Sequence, residues 1–124
     1  MRHAESNLQM ACVRWFRIQY RHIGRMLISV PNGGARDRIT GAILKAEGVV
    51  AGAPDLVLFV ANKHHHGLMI EMKTKTGKQS DSQKEFQIRA EAQGYRYEIV
   101  RDFDSFTKVI HEHLKGTLYD VPAL

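Results

Sequence analysis

The sequence contains one cysteine, Cys12, among 124 residues. A single cysteine cannot form an intrachain disulfide, and it excludes a zinc site built from several cysteines. Long apolar runs are also absent: no segment approaches the ~18 apolar residues of a membrane span, and the first residues lack the apolar core of a signal peptide. We therefore expect no membrane partner and a cytoplasmic location in a reducing compartment.

The chain has fewer acidic than basic residues. Lys and Arg number 18 against 13 Asp and Glu, which gives a net charge of +5 and a pI near 9.6. A basic surface of this kind favours a polyanion such as nucleic acid, although a merely basic soluble protein has the same balance. The excess lies mostly in the first half, at Arg14, Arg17, Arg21, Arg25, Arg36 and Arg38.

Size and composition are those of one folded unit. Apolar residues make up 44% and charged residues 25% of the chain, which is typical of globular proteins and argues against disorder. We expect a single domain over residues 1–124, with a core over about 5–114 and a peripheral tail after Gly116.

The first predicted element is an amphipathic helix over residues 5–22. Its apolar stripe is predicted at Leu8, Cys12, Trp15 and Ile18, because these positions recur at helical spacing. Glu5 should lie near the inward edge of the same helix. Trp15 and Phe16 are more often core residues than base-stacking platforms, and Phe16, just off this stripe, leaves an interface position open as the alternative.

The remaining apolar segments predict an α/β fold with the order α-β-α-β-β-α-β-α. Strands are predicted over 26–30, 55–61, 68–73 and 95–100, and helices over 36–47, from Ser80 or Ser82 to Gln93, and over 102–115. The second and third strands should form a hairpin, since only the polar loop 62–67 separates them.

Two carboxylates end neighbouring strands of this hairpin. Asp55 opens one strand, and alternation along the next sends Glu71 and Lys73 to one face and Leu68, Ile70 and Met72 to the other. Two carboxylates at one sheet edge repel unless a hard cation neutralises them, and Mg²⁺ commonly uses one or two carboxylates plus waters and phosphate oxygens. The pattern predicts a metal-dependent phosphodiester-cleaving site, although a solvated cross-strand charge pattern has the same spacing.

Three loops add candidate ligand contacts. The turn Pro31-Asn32-Gly33-Gly34 with Arg36 and Arg38 either presents N–H and guanidinium groups to a phosphate or is a plain turn. Lys75 and Lys78 follow the predicted catalytic strand, a position that favours substrate contact. His64-His65-His66 either ligates a metal or forms a solvated loop that contacts DNA, and we favour the solvated loop because adjacent extended residues point apart.

Several segments occur in an order and spacing typical of one family. They are Val30-Pro31-Asn32-Gly33-Gly34, the stretch GVVAGAPDL over 48–56, Ile70-Glu71-Met72-Lys73, and Gly77-Lys78-Gln79-Ser80 with Gln83. Pro54-Asp55 with Glu71-Met72-Lys73 resembles the Pro-Asp…Glu-x-Lys signature of the restriction-endonuclease-like superfamily. The whole set, over roughly residues 5–114, resembles stand-alone VRR-NUC domains.

This resemblance implies a central mixed sheet flanked by helices, dependence on Mg²⁺ or Mn²⁺, and hydrolysis of DNA phosphodiester bonds, often at branched DNA such as a four-way (Holliday) junction. By matching position it implies that Asp55 and Glu71 bind metal, that the main-chain carbonyl of Met72 adds a ligand, and that Lys73 is catalytic.

The family's helical residues match less completely. Gln83 matches the Gln that lines the family's site, and Glu5 fits the acid on its first helix, so the resemblance adds both to the catalytic residues and Glu5 to the metal ligands. Many relatives have Tyr a turn after the Gln, where this chain has Phe86. A phenol role at that position therefore has no support here.

Two other functions remain open on the sequence. A basic nucleic-acid-binding module with the same fold would need no metal, and an RNA-directed nuclease would share the site. One active site cuts one strand, so cleavage of both strands or of a four-way junction predicts a homodimer.

Overall fold

The structure, a computed structural model, describes residues 2–31 and 38–120. The helices within these segments are α1 (Arg2–Gln19), a 3₁₀ helix (Arg21–Met26), α2 (Arg38–Ala46), α3 (Asp81–Ala92) and α4 (Phe103–Leu114). The strands are β1 (Leu27–Ser29), β2 (Leu56–Leu58), β3 (Leu68–Met72) and β4 (Arg96–Val100). This α/β architecture confirms the predicted order α-β-α-β-β-α-β-α, apart from the added 3₁₀ helix.

The strands of the described segments form one mixed sheet in the order β1-β2-β3-β4. The pairs β1/β2 and β2/β3 are antiparallel, and β3/β4 is parallel. A parallel pair needs a crossover connection, which α3 supplies between β3 and β4. The predicted hairpin is present, with Leu56 paired to Ile70.

The main core lies between one sheet face and the helices α1 and α4. Helix α1 contributes Cys12 and Phe16, and Tyr20 directly after it continues the same inward stripe at a spacing of four residues. Helix α4 contributes Phe106, Ile110 and Leu114, and the sheet contributes Leu27, Leu56, Leu58, Leu68, Ile70, Met72 and Val100. These side chains pack around Phe16, which is 0% exposed.

One sequence expectation for α1 is therefore wrong: Ile18, predicted on the apolar stripe, is 64% exposed. Phe16 is a core residue, so the interface alternative left open for it does not hold. The sheet and α4 select the stripe through Cys12 and Phe16, and this rotates the helix away from Ile18. Trp15 stays at the edge of the core, where its ring packs edge-on against Phe106 at 6.1 Å between centroids.

Element ends shift where local hydrogen bonding changes. The first helix ends at Gln19 instead of residue 22, because the chain tightens into the 3₁₀ helix. The second strand is shorter than the predicted 55–61 and covers only Leu56–Leu58. Ser80, not Ser82, caps α3, since its side chain accepts a hydrogen bond from the Gln83 N–H. No helix in residues 2–31 or 38–120 is long and apolar enough to cross a membrane.

Candidate active site

Asp55 and Glu71 lie opposite one another at the end of the β2/β3 hairpin. The pairing of Leu56 with Ile70 continues by a hydrogen bond from the Asp55 N–H to the Ile70 carbonyl at 2.9 Å. Continued antiparallel register sets residue 55 across from residue 71, and Glu71 lies on the sheet face opposite the core residues Ile70 and Met72. Asp55 Oδ2 also accepts a 2.6 Å hydrogen bond from the Met72 N–H.

Glu71 is fully buried, with 0% of its surface exposed. Its Oε1 accepts hydrogen bonds from the Tyr97 hydroxyl at 2.7 Å and from Gln79 Nε2 at 3.1 Å. Its Oε2 lies 3.7 Å from Lys73 Nζ and has no hydrogen-bond partner among residues 2–31 and 38–120. A buried carboxylate oxygen without a hydrogen bond costs free energy and marks a place for a ligand.

The charges of the site act on one another. Burial raises the pKa of the Asp55 carboxyl above its usual value of 3.8, the hydrogen bond from Met72 opposes this, and the charges of Glu5 and Glu71 raise that pKa further. The charge of Glu5, on α1, thus acts on the Asp55 carboxyl, and a role for Glu5 as a site residue remains a prediction. Burial, with the hydrogen bond to Glu71, also raises the pKa of Tyr97, so its hydroxyl remains a proton donor at neutral pH.

These residues fit a hard divalent cation that keeps several of its waters. The orphaned Glu71 Oε2 and the opposed Asp55 carboxylate supply the oxygen donors that Mg²⁺ and Mn²⁺ prefer. Across the described segments, no group of three or more His, Cys, Asp and Glu side chains is arranged to hold a metal ion. A metal site made only of protein ligands is therefore absent from these segments. Two carboxylates, with water and phosphate oxygens as the remaining ligands, match the coordination that Mg²⁺ commonly has in proteins.

Gln83 forms the capping box of α3. Its Oε1 accepts a hydrogen bond from the Ser80 N–H at 2.8 Å, so the amide is held by the helix terminus. The glutamine that contacts Glu71 is Gln79, which the sequence did not single out. A role for Gln83 in lining the site remains a prediction.

Gly52 fixes the loop that carries Asp55 against the start of α3. It has a φ of +89°, and a Cβ added there would meet the Ser82 carbonyl oxygen at 2.5 Å. Only glycine adopts this conformation readily and allows the approach. The Gly-Ala-Pro-Asp stretch thereby becomes a rigid link between the hairpin and α3.

We expect Gly52→Ala to lower the free energy of unfolding by about 1–3 kcal/mol, through backbone strain and the clash with Ser82. Gly48→Ala is a matched control, because Gly48 has a φ of +107° but nothing within 4 Å of an added Cβ. Urea unfolding should therefore show a smaller loss for Gly48→Ala. Equal losses would mean that the approach to Ser82 is not a constraint.

A basic loop follows β3 next to the site. Lys75 and Lys78 are exposed on it, and Arg101 holds its backbone by donating from Nη1 to the carbonyls of Thr74 at 2.8 Å and Gly77 at 2.7 Å. The lysines thus extend from a fixed backbone, and their contact with DNA remains a prediction. Asn32, Gly33, Gly34 and Arg36 lie outside the described residues, as does the side chain of Arg38.

The histidine triplet is part of an ordered turn. Asn62 Oδ1 accepts hydrogen bonds from the N–H groups of His64 and His65, and Asn62 Nδ2 donates to the carbonyl of buried His113. In the part of the chain described, these imidazoles join no metal-holding group. The choice between a metal site and a solvated loop that contacts DNA remains a prediction.

Reasoning from the sequence did not identify Tyr97 or Gln79 as site residues. Tyr97 reads as one position of an alternating strand, and it reaches Glu71 only because β4 pairs in parallel with β3. Gln79 lies in the segment Gly77-Lys78-Gln79-Ser80, which carried part of the family resemblance without a role for this residue. Its contact with Glu71 depends on how that loop returns to α3.

The fold and the site together define a class. A mixed sheet flanked by helices, with an Asp opposite the Glu of a Glu-x-Lys strand, places the protein among the α/β domains of the restriction-endonuclease-like superfamily. The VRR-NUC domain model matches residues 2–103, and the chain belongs to the VRR-NUC domain family. This confirms the resemblance seen in the sequence and implies a nuclease-type function.

One solved structure gives an independent comparison. A protein described as a VRR_NUC domain protein superposes with a TM-score of 0.74 at 25% sequence identity, over 90% of this chain and 88% of that chain. No curated protein sequence matches this chain significantly. The two chains thus share nearly their whole length as one fold.

Proposed function

We propose that the protein is a metal-dependent, structure-selective DNA endonuclease that hydrolyses phosphodiester bonds at branched or four-way-junction DNA. The observation that carries the proposal is the buried Glu71, whose Oε2 lies 3.7 Å from Lys73 Nζ and lacks a hydrogen-bond partner in the described segments. A carboxylate and an ammonium held together at a rigid sheet edge, opposite Asp55, suit the charge that develops at an attacked phosphate.

The acidic residues of the site have binding roles in this proposal. Asp55 and Glu71 hold Mg²⁺ or Mn²⁺, the Met72 carbonyl adds a ligand, and Glu5 contributes negative charge from α1. When bound, the cation supplies charge neutralisation at the phosphate and lowers the pKa of a coordinated water.

Lys73 is the proposed catalytic cation. Its side chain is only 13% exposed, so its charge acts on the scissile phosphate with little screening by water. The ammonium stabilises negative charge on the phosphate oxygens as water attacks phosphorus and the P–O bond to the leaving strand breaks. The attacking water loses one proton to the solvent and the leaving oxygen takes one up from it, which completes hydrolysis.

The substrate follows from charge and assembly. The net charge of +5 and the exposed lysines 75 and 78 favour the phosphate backbone. We propose one catalytic domain per chain and a homodimer, which would place two sites on a branched substrate. Support comes from Met26, Ile28 and Phe59, which are 41%, 43% and 50% exposed and lie together on the sheet face opposite the main core.

The test compares wild type, Lys73→Ala and Lys108→Ala on labelled duplex, flap and four-way-junction DNA with Mg²⁺, Mn²⁺ or EDTA. Lys108 is an exposed lysine of α4, so its removal controls for charge. We expect metal-dependent cleavage by wild type and Lys108→Ala, and a loss of about 10²–10³-fold in Lys73→Ala, the cost typical of removing one group that stabilises transition-state charge.

The opposite results are equally informative. DNA binding in EDTA without cleavage by any variant would contradict the nuclease and favour the binding module, and preferential cleavage of matched RNA would move the substrate to RNA. Light scattering of the same preparation should give a dimer mass. A monomer mass at the assay concentration would contradict the proposed assembly.

A further inference from the structure

Two neutral donors converge on one oxygen of Glu71. The Tyr97 hydroxyl and Gln79 Nε2 both bond Oε1, at 2.7 Å and 3.1 Å, and neither bonds Oε2. A carboxylate free to turn about its terminal bond would share such donors between its oxygens. The arrangement makes the two oxygens of Glu71 different: one is saturated, and the other faces Lys73.

Tyr97 is placed by the sheet itself. Tyr97 pairs with Met69, and Glu71 pairs with Ile99, so Tyr97 is the diagonal neighbour of Glu71 on the same face. Aromatic side chains reach such diagonal partners across adjacent strands. The Tyr97 side chain is 5% exposed, and its rigid strand leaves the hydroxyl little freedom to leave Oε1.

Gln79 is placed by α3. One N–H of its amide bonds Glu71, and the other donates to Gln87 Oε1 at 2.9 Å. Both N–H groups are thus used, which fixes the orientation of the amide. Gln87 Nε2 in turn approaches Glu91 Oε2 at 3.4 Å, so a row of side chains along α3 supports the contact.

We infer that Tyr97 and Gln79 are positioning residues that hold Oε1 of Glu71, so that Oε2 is the oxygen presented to a divalent cation. The inference rests on the proposed function, because it deepens the role of Glu71 in that site. Partners that orient a ligating carboxylate typically change metal affinity by about 10–100-fold when they are removed. Because both donors are neutral, they fix the carboxylate without cancelling its charge.

The experiment measures Mn²⁺ binding by calorimetry, without DNA, for wild type, Tyr97→Phe, Gln79→Met and Tyr20→Phe. Tyr97→Phe removes one hydroxyl and keeps the buried ring. Tyr20→Phe is the matched control, because the Tyr20 hydroxyl is also buried and bonded, to His111 Nδ1 at 2.7 Å, but lies outside the site. A loss of packing or of a buried hydroxyl in general would affect both variants.

We expect the dissociation constant for Mn²⁺ to rise about tenfold or more in Tyr97→Phe and Gln79→Met, and to stay within about twofold in Tyr20→Phe. Cleavage by Tyr97→Phe should recover as the Mn²⁺ concentration is raised, since the defect is in binding. Should Tyr97→Phe fail to fold, Gln79→Met decides by the same criterion.

An unchanged dissociation constant in the folded Tyr97 and Gln79 variants would overturn the inference, as would an equal loss in Tyr20→Phe or no Mn²⁺ binding by wild type. If wild type cleaves DNA but the variants bind Mn²⁺ as wild type does, the proposed nuclease function holds and the positioning role of Tyr97 and Gln79 does not. If Mn²⁺ binding depends on Tyr97 but wild type cuts no DNA, the positioning role holds and the proposed nuclease function does not.

Discussion

Asp55→Asn should abolish metal-dependent cleavage and, in EDTA at neutral pH, raise the thermal midpoint of unfolding. Loss of a metal-binding carboxylate removes roughly 4 kcal/mol of transition-state stabilisation, which corresponds to a rate lower by about 10³-fold. The gain in stability has a separate cause. Burial raises the pKa of Asp55, and the charges of Glu5 and Glu71 raise it further, so the ionised carboxylate destabilises the metal-free fold.

The pH dependence has a definite sign. A carboxyl group whose pKa is higher in the folded than in the unfolded state stabilises the fold while it is protonated. This stabilisation is fully present below the unfolded-state pKa and is lost as the pH rises through the folded-state pKa. The thermal midpoint of Asp55→Asn should therefore exceed that of wild type most at neutral pH, and the difference should shrink as Asp55 of the wild type becomes protonated in acid. Asparagine keeps an oxygen that can accept the Met72 N–H, so the loop retains its hydrogen bond.

Asp120→Asn is the matched control for this experiment. Asp120 Oδ2 also accepts a backbone N–H, from Gly116 at 3.1 Å, but the residue is exposed and outside the site. Its replacement should change neither cleavage nor the midpoint appreciably. Full cleavage by Asp55→Asn, or a lower midpoint in EDTA at neutral pH, would contradict the assigned role and the electrostatic account respectively.

Phe16→Ala should lower the free energy of unfolding by about 3–5 kcal/mol, the usual cost of truncating a buried aromatic residue. The Phe16 ring is 0% exposed and stacks on Tyr20 at 5.3 Å between centroids. Small domains have only about 5–15 kcal/mol of total stability, so the loss is a large share. Urea unfolding followed by circular dichroism measures it.

Ile18→Ala is the paired variant on the same helix. Ile18 is 64% exposed, and surface substitutions usually change stability by no more than about 0.5 kcal/mol. The large difference between the two variants tests which stripe of α1 faces the sheet. A larger loss for Ile18→Ala than for Phe16→Ala would mean that the helix is rotated from the orientation described.

The hairpin shows why part of the site could be predicted. Alternation along a strand has a period of two, and a short loop forces neighbouring strands to pair. Asp55 and Glu71 could therefore be placed across from each other from local pattern alone. Their roles in metal binding and catalysis, with those of Lys73 and Gln83, remain predictions until the variants are measured.

Helix α1 shows where local pattern fails. From Cys12, a stripe through Trp15 and Ile18 and a stripe through Phe16 are both compatible with helical spacing. Only the shape of the core, set by the sheet and α4, favours the second. A helix with apolar residues on more than one side does not specify its own orientation.

The sequence by itself determined the α/β order, the family and the opposition of Asp55 to Glu71, because each depends on patterns within neighbouring segments. Tertiary structure alone decided that Glu71 is fully buried and that Tyr97 and Gln79 bond one of its oxygens. Those contacts require β4 to lie parallel to β3 and the loop before α3 to return over the sheet. Such pairings between distant segments depend on how the whole chain packs, which no local periodicity encodes.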